Sequence, residues 1–162
     1  MTIVTTVKDL EALTMVVVAE FDASIERVWQ LWADPRKLER WWGPPEWPAT
    51  FTTHDLVSGG ESRYHMTGPD GEQPGGYWHI TEVEEPTRFV VQDGFTDDAG
   101  DPVPGDPVVM EVKLDEEPGA TRMTLTSTFA SAEQLDEMVK MGMEEGLAGA
   151  LEQIDGILAQ AA

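Results

Sequence analysis

The sequence predicts an α+β protein in which an antiparallel sheet packs against one long C-terminal helix. Three observations support this fold class: a β-branched run at 14–21, a series of alternating apolar segments between 49 and 129, and an uninterrupted helical pattern from 131 to about 160. A chain of 162 residues suits one domain, predicted over 1–162 with its core at about 14–160.

Two short helices are predicted directly after the first strand. Ser24 is a good N-cap, and apolar residues follow it at helical spacing as far as Ala33. Asp34 and Pro35 begin a second helix, which Gly43 ends. The proline-rich segment 44–48 cannot continue a helix, so it is predicted as an extended connection.

A meander of antiparallel strands should follow, which gives a sheet of about six or seven strands. The predicted strands are 49–57, 61–66, 76–83, 88–93, 108–114 and 123–129. A turn at 68–71 would pair Tyr64 with Ile80 and Met66 with Trp78 on the inner face, leaving His65 and His79 outside. The segment 93–107, rich in Asp, Gly and Pro, is predicted as a long loop, either a lid that gates entry to a cavity or a tolerated insertion.

The long helix should begin at a capping box formed by Ser131 and Gln134. It contains three central glycines, Gly142, Gly146 and Gly149, each costing about 1 kcal/mol relative to alanine in a helix interior. All three fall on the side predicted to face the sheet. Two interpretations stay open: close packing of the helix on the sheet, or vacant space for a ligand.

Charge and composition exclude several classes of function. The 31 acidic and 10 basic residues give a net charge of -21, which disfavours nucleic acid and anionic membrane surfaces as partners. The absence of cysteine excludes disulfides, thiolate nucleophiles and cysteine-ligated metals. No apolar stretch is long enough for membrane insertion and no leader pattern is present, so a cytoplasmic location is predicted.

No cofactor, metal or catalytic residue is predicted. The three histidines, His54, His65 and His79, lack a ligand-spacing motif, and the acidic loop does not match a calcium-binding loop. Acid-base chemistry leaves no motif and stays open, because one buried polar group with a shifted pKa suffices for it. Asp55 and Glu82 are the strand carboxylates that alternation might turn inward.

Six motifs, in the same order along about residues 14 to 160, resemble the branch of the START-like (SRPBCC) superfamily named for the activator of the heat-shock protein 90 ATPase homologue. They are FDASIERVW (21–29), DPRKLERWWGP (34–44), SGGESRYHMTGPDG (58–71), EVEEPTRF (82–89), GATRMTL (119–125) and MGMEEGLAGALEQID (141–155). The resemblance implies the helix-grip fold, as in birch-pollen-allergen-like proteins, with a curved sheet around the C-terminal helix.

The resemblance also implies a hydrophobic cavity that in relatives binds lipids, polyketides or other apolar molecules. Some START-like members are aromatases or cyclases, but the family has no fixed catalytic set, so no catalytic residue is carried over. Relatives commonly have tryptophan where this chain has Leu147, a departure that changes the expected cavity volume.

The leading hypothesis is a non-enzymatic binder of an apolar small molecule, lipid or polyketide-like. The predicted cavity residues are Trp41, Trp42, Tyr64, Met66, Trp78, Ile80, Phe89, Met110, Val112, Met123, Leu125, Met138, Gly142 and Gly146. The alternatives are a cyclase-, aromatase- or isomerase-type enzyme that uses the same cavity, and a co-chaperone-like interaction module. The sequence leaves open a homodimer and a chaperone partner.

Overall fold

A computed structural model describes residues 3–160 and confirms the α+β fold class: a curved, open antiparallel sheet with helices packed on one face. The sheet has eight strands rather than six or seven. They are β1 (Ile3–Asp9), β2 (Thr14–Phe21), β3 (Ala49–His54), β4 (Glu61–Met66), β5 (Gly75–Glu84), β6 (Arg88–Thr96), β7 (Val108–Glu117) and β8 (Ala120–Thr128).

The strand order is β1-β2-β8-β7-β6-β5-β4-β3, and every neighbouring pair is antiparallel. The strand that the sequence did not predict, β1, forms one edge by pairing with β2. Its exposed residues give it no clear alternating pattern, and Val7 is 53% exposed. Strands β3 to β8 form the predicted meander, which places β3 at the other edge.

Two short helices cross from β2 to β3. Helix α1 (Ile25–Ala33) is capped by the Ser24 hydroxyl, which accepts a hydrogen bond from the Arg27 amide. Helix α2 (Pro35–Leu38) is capped by Asp34 and has proline at its first position. The apolar face of α1 packs into the core that the concave sheet face forms.

The predicted single C-terminal helix is divided into α3 (Ala132–Lys140) and α4 (Met143–Gln160). The break occurs at Gly142, whose φ of 87° lies in the left-handed region that favours glycine. Lys140 is therefore the last residue of α3, and Gly142 terminates that helix. A single continuous helix does not run through this position. No helix within residues 3–160 has the length and apolar character needed to cross a bilayer.

Helix α4 is held firmly at its C-terminal half. Its apolar residues Leu151 and Ile154 are almost completely buried, and the Arg27 guanidinium donates to the Leu158 carbonyl at 2.7 Å. The Gln153 side-chain amide donates to the backbone carbonyls of Trp41 and Gly43 at 3.2 and 2.7 Å. These contacts fix α4 against α1 and the segment that follows α2.

The predicted register of the β4–β5 hairpin was wrong, although its inner face was assigned correctly. Tyr64 pairs with Gly76 and Ser62 with Trp78, because the connection covers 67–74 and is not a tight turn centred on 68–71. The slip is an even number of residues, so it does not exchange the two faces of the strand. Trp78 is therefore still buried.

Eight rings form an aromatic cluster on the concave face: Trp29, Trp32, Trp41, Trp42, Phe51, Tyr64, Trp78 and Phe89. Trp32 is at its centre, with ring centroids 4.6 Å from Trp41, 5.1 Å from Phe89 and 6.1 Å from Trp78. Most pairs meet edge to face, the arrangement that the aromatic quadrupole favours. The cluster fills the space between α1, α2 and strands β3 to β6.

Trp41 and Trp78 provide a matched test of the energetics inside the cluster, because both are fully buried. The Trp41 indole donates to the Leu31 carbonyl at 2.9 Å, whereas the Trp78 indole has no hydrogen-bond partner among the described residues. Trp41→Phe should therefore lower the free energy of unfolding by about 1 to 2 kcal/mol more than Trp78→Phe, because only Trp41→Phe leaves a buried carbonyl unpaired. Urea denaturation of the two variants measures this difference, and equal losses would contradict it.

Candidate functional site

A cavity of about 290 Å³ lies between the concave sheet face, α3 and the first half of α4. Most of its lining is apolar, contributed by strands on one side and by α3, the helix break and α4 on the other. The lining residues are Trp42, Pro44, Tyr64, Met66, Asp93, Gly94, Phe95, Val108, Met110, Leu125, Ser127, Met138, Met141, Gly142, Met143, Gly146 and Leu147.

The structure divides the residues that the sequence predicted for this cavity into two groups. Eight border it: Trp42, Tyr64, Met66, Met110, Leu125, Met138, Gly142 and Gly146. Six lie in the solid core: Trp41, Trp78, Ile80, Phe89, Val112 and Met123, each of which is 0% exposed. Five of these six are on strands and face the concave side of the sheet, and Trp41 follows α2; the aromatic cluster and the helices cover this part of the sheet.

Two of the three central glycines, Gly146 and Gly149, lie beside a neighbouring segment of chain. A Cβ atom added at Gly146 would lie 3.7 Å from Pro44 Cγ, and one added at Gly149 would lie 3.7 Å from Pro45 Cδ. Gly142 is instead the helix break. The expectation that all three glycines face the sheet from a continuous helix was therefore wrong, because the helix breaks at Gly142 and the proline segment lies beside Gly146 and Gly149.

Asp93 places a carboxyl group in a mostly apolar wall, whose other polar side chains are Tyr64 and Ser127. The Tyr64 hydroxyl donates to its Oδ1 at 3.2 Å. Burial raises the pKa of Asp93 from its ordinary 3.8 to about 7, although the Tyr64 hydroxyl and the nearby Trp78 indole oppose this change by stabilising the anion. Burial, followed by the charge of Asp93, also raises the pKa of Tyr64 well above its ordinary value.

Two indole groups beside this pair have unused hydrogen-bond donors. The Nε1 atoms of Trp42 and Trp78 are buried, and neither completes a hydrogen bond within residues 3–160. Trp42 is nonetheless close enough to influence the pKa of Tyr64, and Trp78 that of Asp93. Polar groups are therefore concentrated at one corner of the cavity, called the polar corner: Trp42, Tyr64 and Asp93, which line the cavity, and Trp78, which lies beside them in the core.

Sequence reasoning did not identify Asp93, although a signal for it was present. Phe89, Val91 and Asp93 are two residues apart on one strand and therefore share a face. Phe89 and Val91 are fully buried, so the same alternation predicts an inward carboxyl group at 93. The prediction ended the strand at this residue, whereas β6 continues to Thr96 and carries Asp93 along the inner face.

Asp55 and Glu82, the carboxylates considered at the sequence level, are both exposed. Register irregularities explain this outcome, because strand β3 has one between Phe51 and Thr53 and strand β5 has one between Ile80 and Glu82. An added residue in a strand reverses the alternation beyond it. Glu82 accordingly pairs with Arg88 at the surface, at 3.3 Å.

The same irregularity in β3 turns His54 toward the core, where both of its ring nitrogens have partners. Nε2 is 2.7 Å from the Trp32 carbonyl oxygen, and Nδ1 is 2.7 Å from the Ser62 hydroxyl. Because a carbonyl can only accept, we assign the ring proton to Nε2, and burial lowers the pKa of the ring. His54 pairs across the hairpin with Ser62, while His65 lies opposite Thr50.

The curved sheet, the helix packed on its concave face and the cavity between them define the class of helix-grip, START-like proteins. The family profile described as Activator of Hsp90 ATPase homolog 1-like protein matches residues 22–159. The chain belongs to this family. The comparison with curated proteins found no match.

Solved structures give the same fold over nearly the whole chain. A protein from Arthrobacter aurescens is similar at 52% identity and a TM-score of 0.93, over 98% of this chain and 93% of that one. Protein Ms6760 from Mycobacterium smegmatis is similar at 44% identity and a TM-score of 0.90, over 99% of each chain. An AHSA1 protein from Silicibacter pomeroyi, 22% identical over 92% of this chain and 99% of that one, shares the fold with a TM-score of 0.76.

The raised pKa of Asp93 predicts a stability difference with a definite sign. Between about pH 4 and pH 7 the native state binds this proton more tightly than the unfolded state does, so the contribution of Asp93 to stability is lost as the pH rises through about 7. Asp93→Asn keeps an acceptor for Tyr64 but removes the titration. The variant should therefore gain stability relative to the wild type over this range.

We expect the free energy of unfolding to rise by about 1 to 2 kcal/mol at the higher pH. This is less than the whole pKa shift would give, because the carboxyl group borders an open cavity where water screens its charge. Urea denaturation of both proteins at about pH 4.5 and pH 8 measures it, and the comparison cancels the other carboxylates. Asp98→Asn in the exposed loop is the control. A wild-type minus D93N difference that does not change with pH would contradict the prediction.

Proposed function

We propose that this protein binds an apolar small molecule, lipid or polyketide-like, in the cavity between sheet and helix. The observation that carries the proposal is the cavity itself, whose lining is dominated by Met, Leu, Val and aromatic side chains. Small-molecule sites are typically concave and mostly apolar, with a few polar groups that fix orientation. The polar corner supplies such groups here.

The size of the cavity limits the ligand. Pockets for drug-sized molecules have volumes of about 300–1,000 Å³, and the cavity of about 290 Å³ lies at the lower end of that range. This volume favours a molecule with one or two fused rings, or a short acyl chain, over a lipid with two full chains. Binding would remove the apolar surface of the ligand from water at about 25 cal/mol per Å².

Two exposed apolar side chains favour access to the cavity from the side of the helix break. Met141 precedes Gly142 and is 68% exposed, and Phe95, at the end of β6, is 45% exposed. Both also line the cavity. The proposed mouth is therefore formed by these two residues.

Filling the cavity from α4 tests the binding function. Gly146→Leu places a side chain beside Pro44 without backbone strain, since an added Cβ meets only ordinary contact there. We expect it to weaken the binding of a neutral naphthyl ketone dye by about tenfold or more, because the ligand and the leucine compete for one volume. Fluorescence titration with the dye measures the affinity.

Gly156→Leu is the matched control, because Gly156 is exposed on the same helix and nothing lies within 4 Å of an added Cβ. It should bind the dye as the wild type does. Gly142→Leu is a poor test, since its positive φ strains any side chain. Unchanged affinity in a folded Gly146→Leu variant would show that the dye does not occupy this cavity.

Asp93 favours a second candidate function, an isomerase- or cyclase-type enzyme. A carboxyl group with a pKa of about 7 is suited to general acid-base catalysis near neutral pH, and such groups concentrate at functional sites. The apolar cavity would hold the substrate, and Asp93 would remove a proton next to a carbonyl group. Tyr64 would orient the carboxyl through the hydrogen bond to Oδ1.

Hydrogen exchange into a probe ketone separates the two candidates. If Asp93 acts as a base, the protein should accelerate deuterium incorporation into the methyl group of a naphthyl methyl ketone in heavy water, followed by NMR. Asp93→Asn should lose about 100-fold or more of that acceleration. Binding of the ketone without exchange above the buffer rate would support the non-enzymatic binder and contradict the enzyme.

A further inference from the structure

The polar corner contains more hydrogen-bonding capacity than the protein itself uses. Tyr64 donates its only proton to Oδ1 of Asp93. An ionised carboxylate has about four acceptor positions, so most of the capacity of Asp93 remains after this bond. Asp93 and Tyr64 both line the cavity, so a ligand can reach them.

Hydrogen-bonding groups that a bound ligand covers cost free energy unless the ligand supplies a hydrogen-bond partner. A buried polar group without a hydrogen bond loses its interaction with water and gains nothing in return. A purely hydrocarbon ligand would displace water from Asp93 and leave the carboxyl in that condition. The polar corner therefore disfavours a ligand without a polar group.

Charge and hydrogen-bonding chemistry restrict which polar group a ligand can place beside Asp93. A carboxylate ligand would place a second negative charge beside Asp93 in a chain whose net charge is already -21. An ammonium group would satisfy Asp93 but cannot accept a hydrogen bond, whereas Trp42, which lines the cavity, has an indole donor without a partner among the described residues. A hydroxyl group both donates and accepts, so it matches the corner best.

We propose that the cavity selects a neutral, apolar molecule carrying a hydroxyl group, which donates a hydrogen bond to Asp93. This inference rests on the proposed binding function and adds the ligand's chemical class. The hydrocarbon part of the ligand lies along Met110 and Leu125 of the sheet and under Leu147 of α4. The hydroxyl oxygen stays available as an acceptor for the indole donor of Trp42.

Four naphthalene ligands of similar size and different polar group test the proposal: a naphthol, a methylnaphthalene, a naphthoate and a naphthylmethylammonium. Their affinities are measured by calorimetry or fluorescence at about pH 8, where Asp93 is mostly ionised. The naphthol should bind about tenfold more tightly than the methylnaphthalene, the factor expected for one hydrogen bond to a charged group. It should also bind more tightly than either charged analogue.

Asp93→Leu should abolish the advantage of the naphthol while the methylnaphthalene still binds. Asp98→Leu, in the exposed loop and outside the cavity lining, should leave the advantage unchanged. The four ligands on the wild-type protein decide the proposal even if D93L does not fold. The variants then assign the preference to Asp93.

The outcomes separate this inference from the function on which it rests. Equal affinity for the naphthol and the methylnaphthalene overturns recognition by the polar corner and leaves an apolar binding cavity. Tightest binding of the ammonium or of the naphthoate also overturns it, in favour of a charged ligand. If none of the four ligands binds, the proposed binding function itself is contradicted.

Discussion

The packing of indole rings around Trp32 determines where empty space can exist in this fold. A curved sheet encloses more volume than one helix can fill, and the aromatic cluster occupies the part between α1, α2 and strands β3 to β6. Ring contacts of 4.6 to 6.1 Å around Trp32 leave no room for a ligand there. The remaining volume is confined to the region beneath α3 and the first half of α4, where the cavity lies.

Helix α4 spans both the filled part of the fold and the part that contains the cavity. Its C-terminal half lies on the filled side, held by buried apolar residues and by hydrogen bonds from Gln153 and Arg27. Its N-terminal half begins after the break at Gly142 and covers the cavity with half-buried Met143, Gly146 and Leu147. One helix thus serves as both a core element and a cavity wall.

Much of the fold could be predicted from the sequence because periodicity reports which face of an element is buried. It identified the meander, the two capped short helices and the inner face of Tyr64 and Trp78, even though the β4–β5 register was wrong. Periodicity does not report what stands opposite a buried residue. For that reason six core residues were assigned to the cavity, among them Trp78 and Phe89, which meet other rings and no open space.

The misses have local physical causes. Strand β1 is an exposed edge without a clear alternating pattern, and the break at Gly142 has the lysine-then-glycine pattern that commonly ends a helix. The irregularities in β3 and β5 reversed the alternation at His54 and Glu82. Asp93 was missed although the predicted strand 88–93 included it, because it was taken as the junction with the loop 93–107, whereas β6 continues to Thr96. The alternation of buried residues along one strand is enough to indicate that a carboxyl group faces the core.

The two walls of the cavity differ in how easily they deform. On one side lie the rings of Tyr64, on β4, and Trp42, in the segment after α2, which are braced by other rings and have few rotamers. The opposite wall carries Met138, Met141, Met143 and Leu147, and methionine adapts its shape at little cost because it is unbranched. The rings thus constrain the shape of a bound molecule, while the thioethers, which on the sheet include Met66 and Met110, adapt to it. Substitutions that change the accepted ligand size are therefore best tolerated among the methionines.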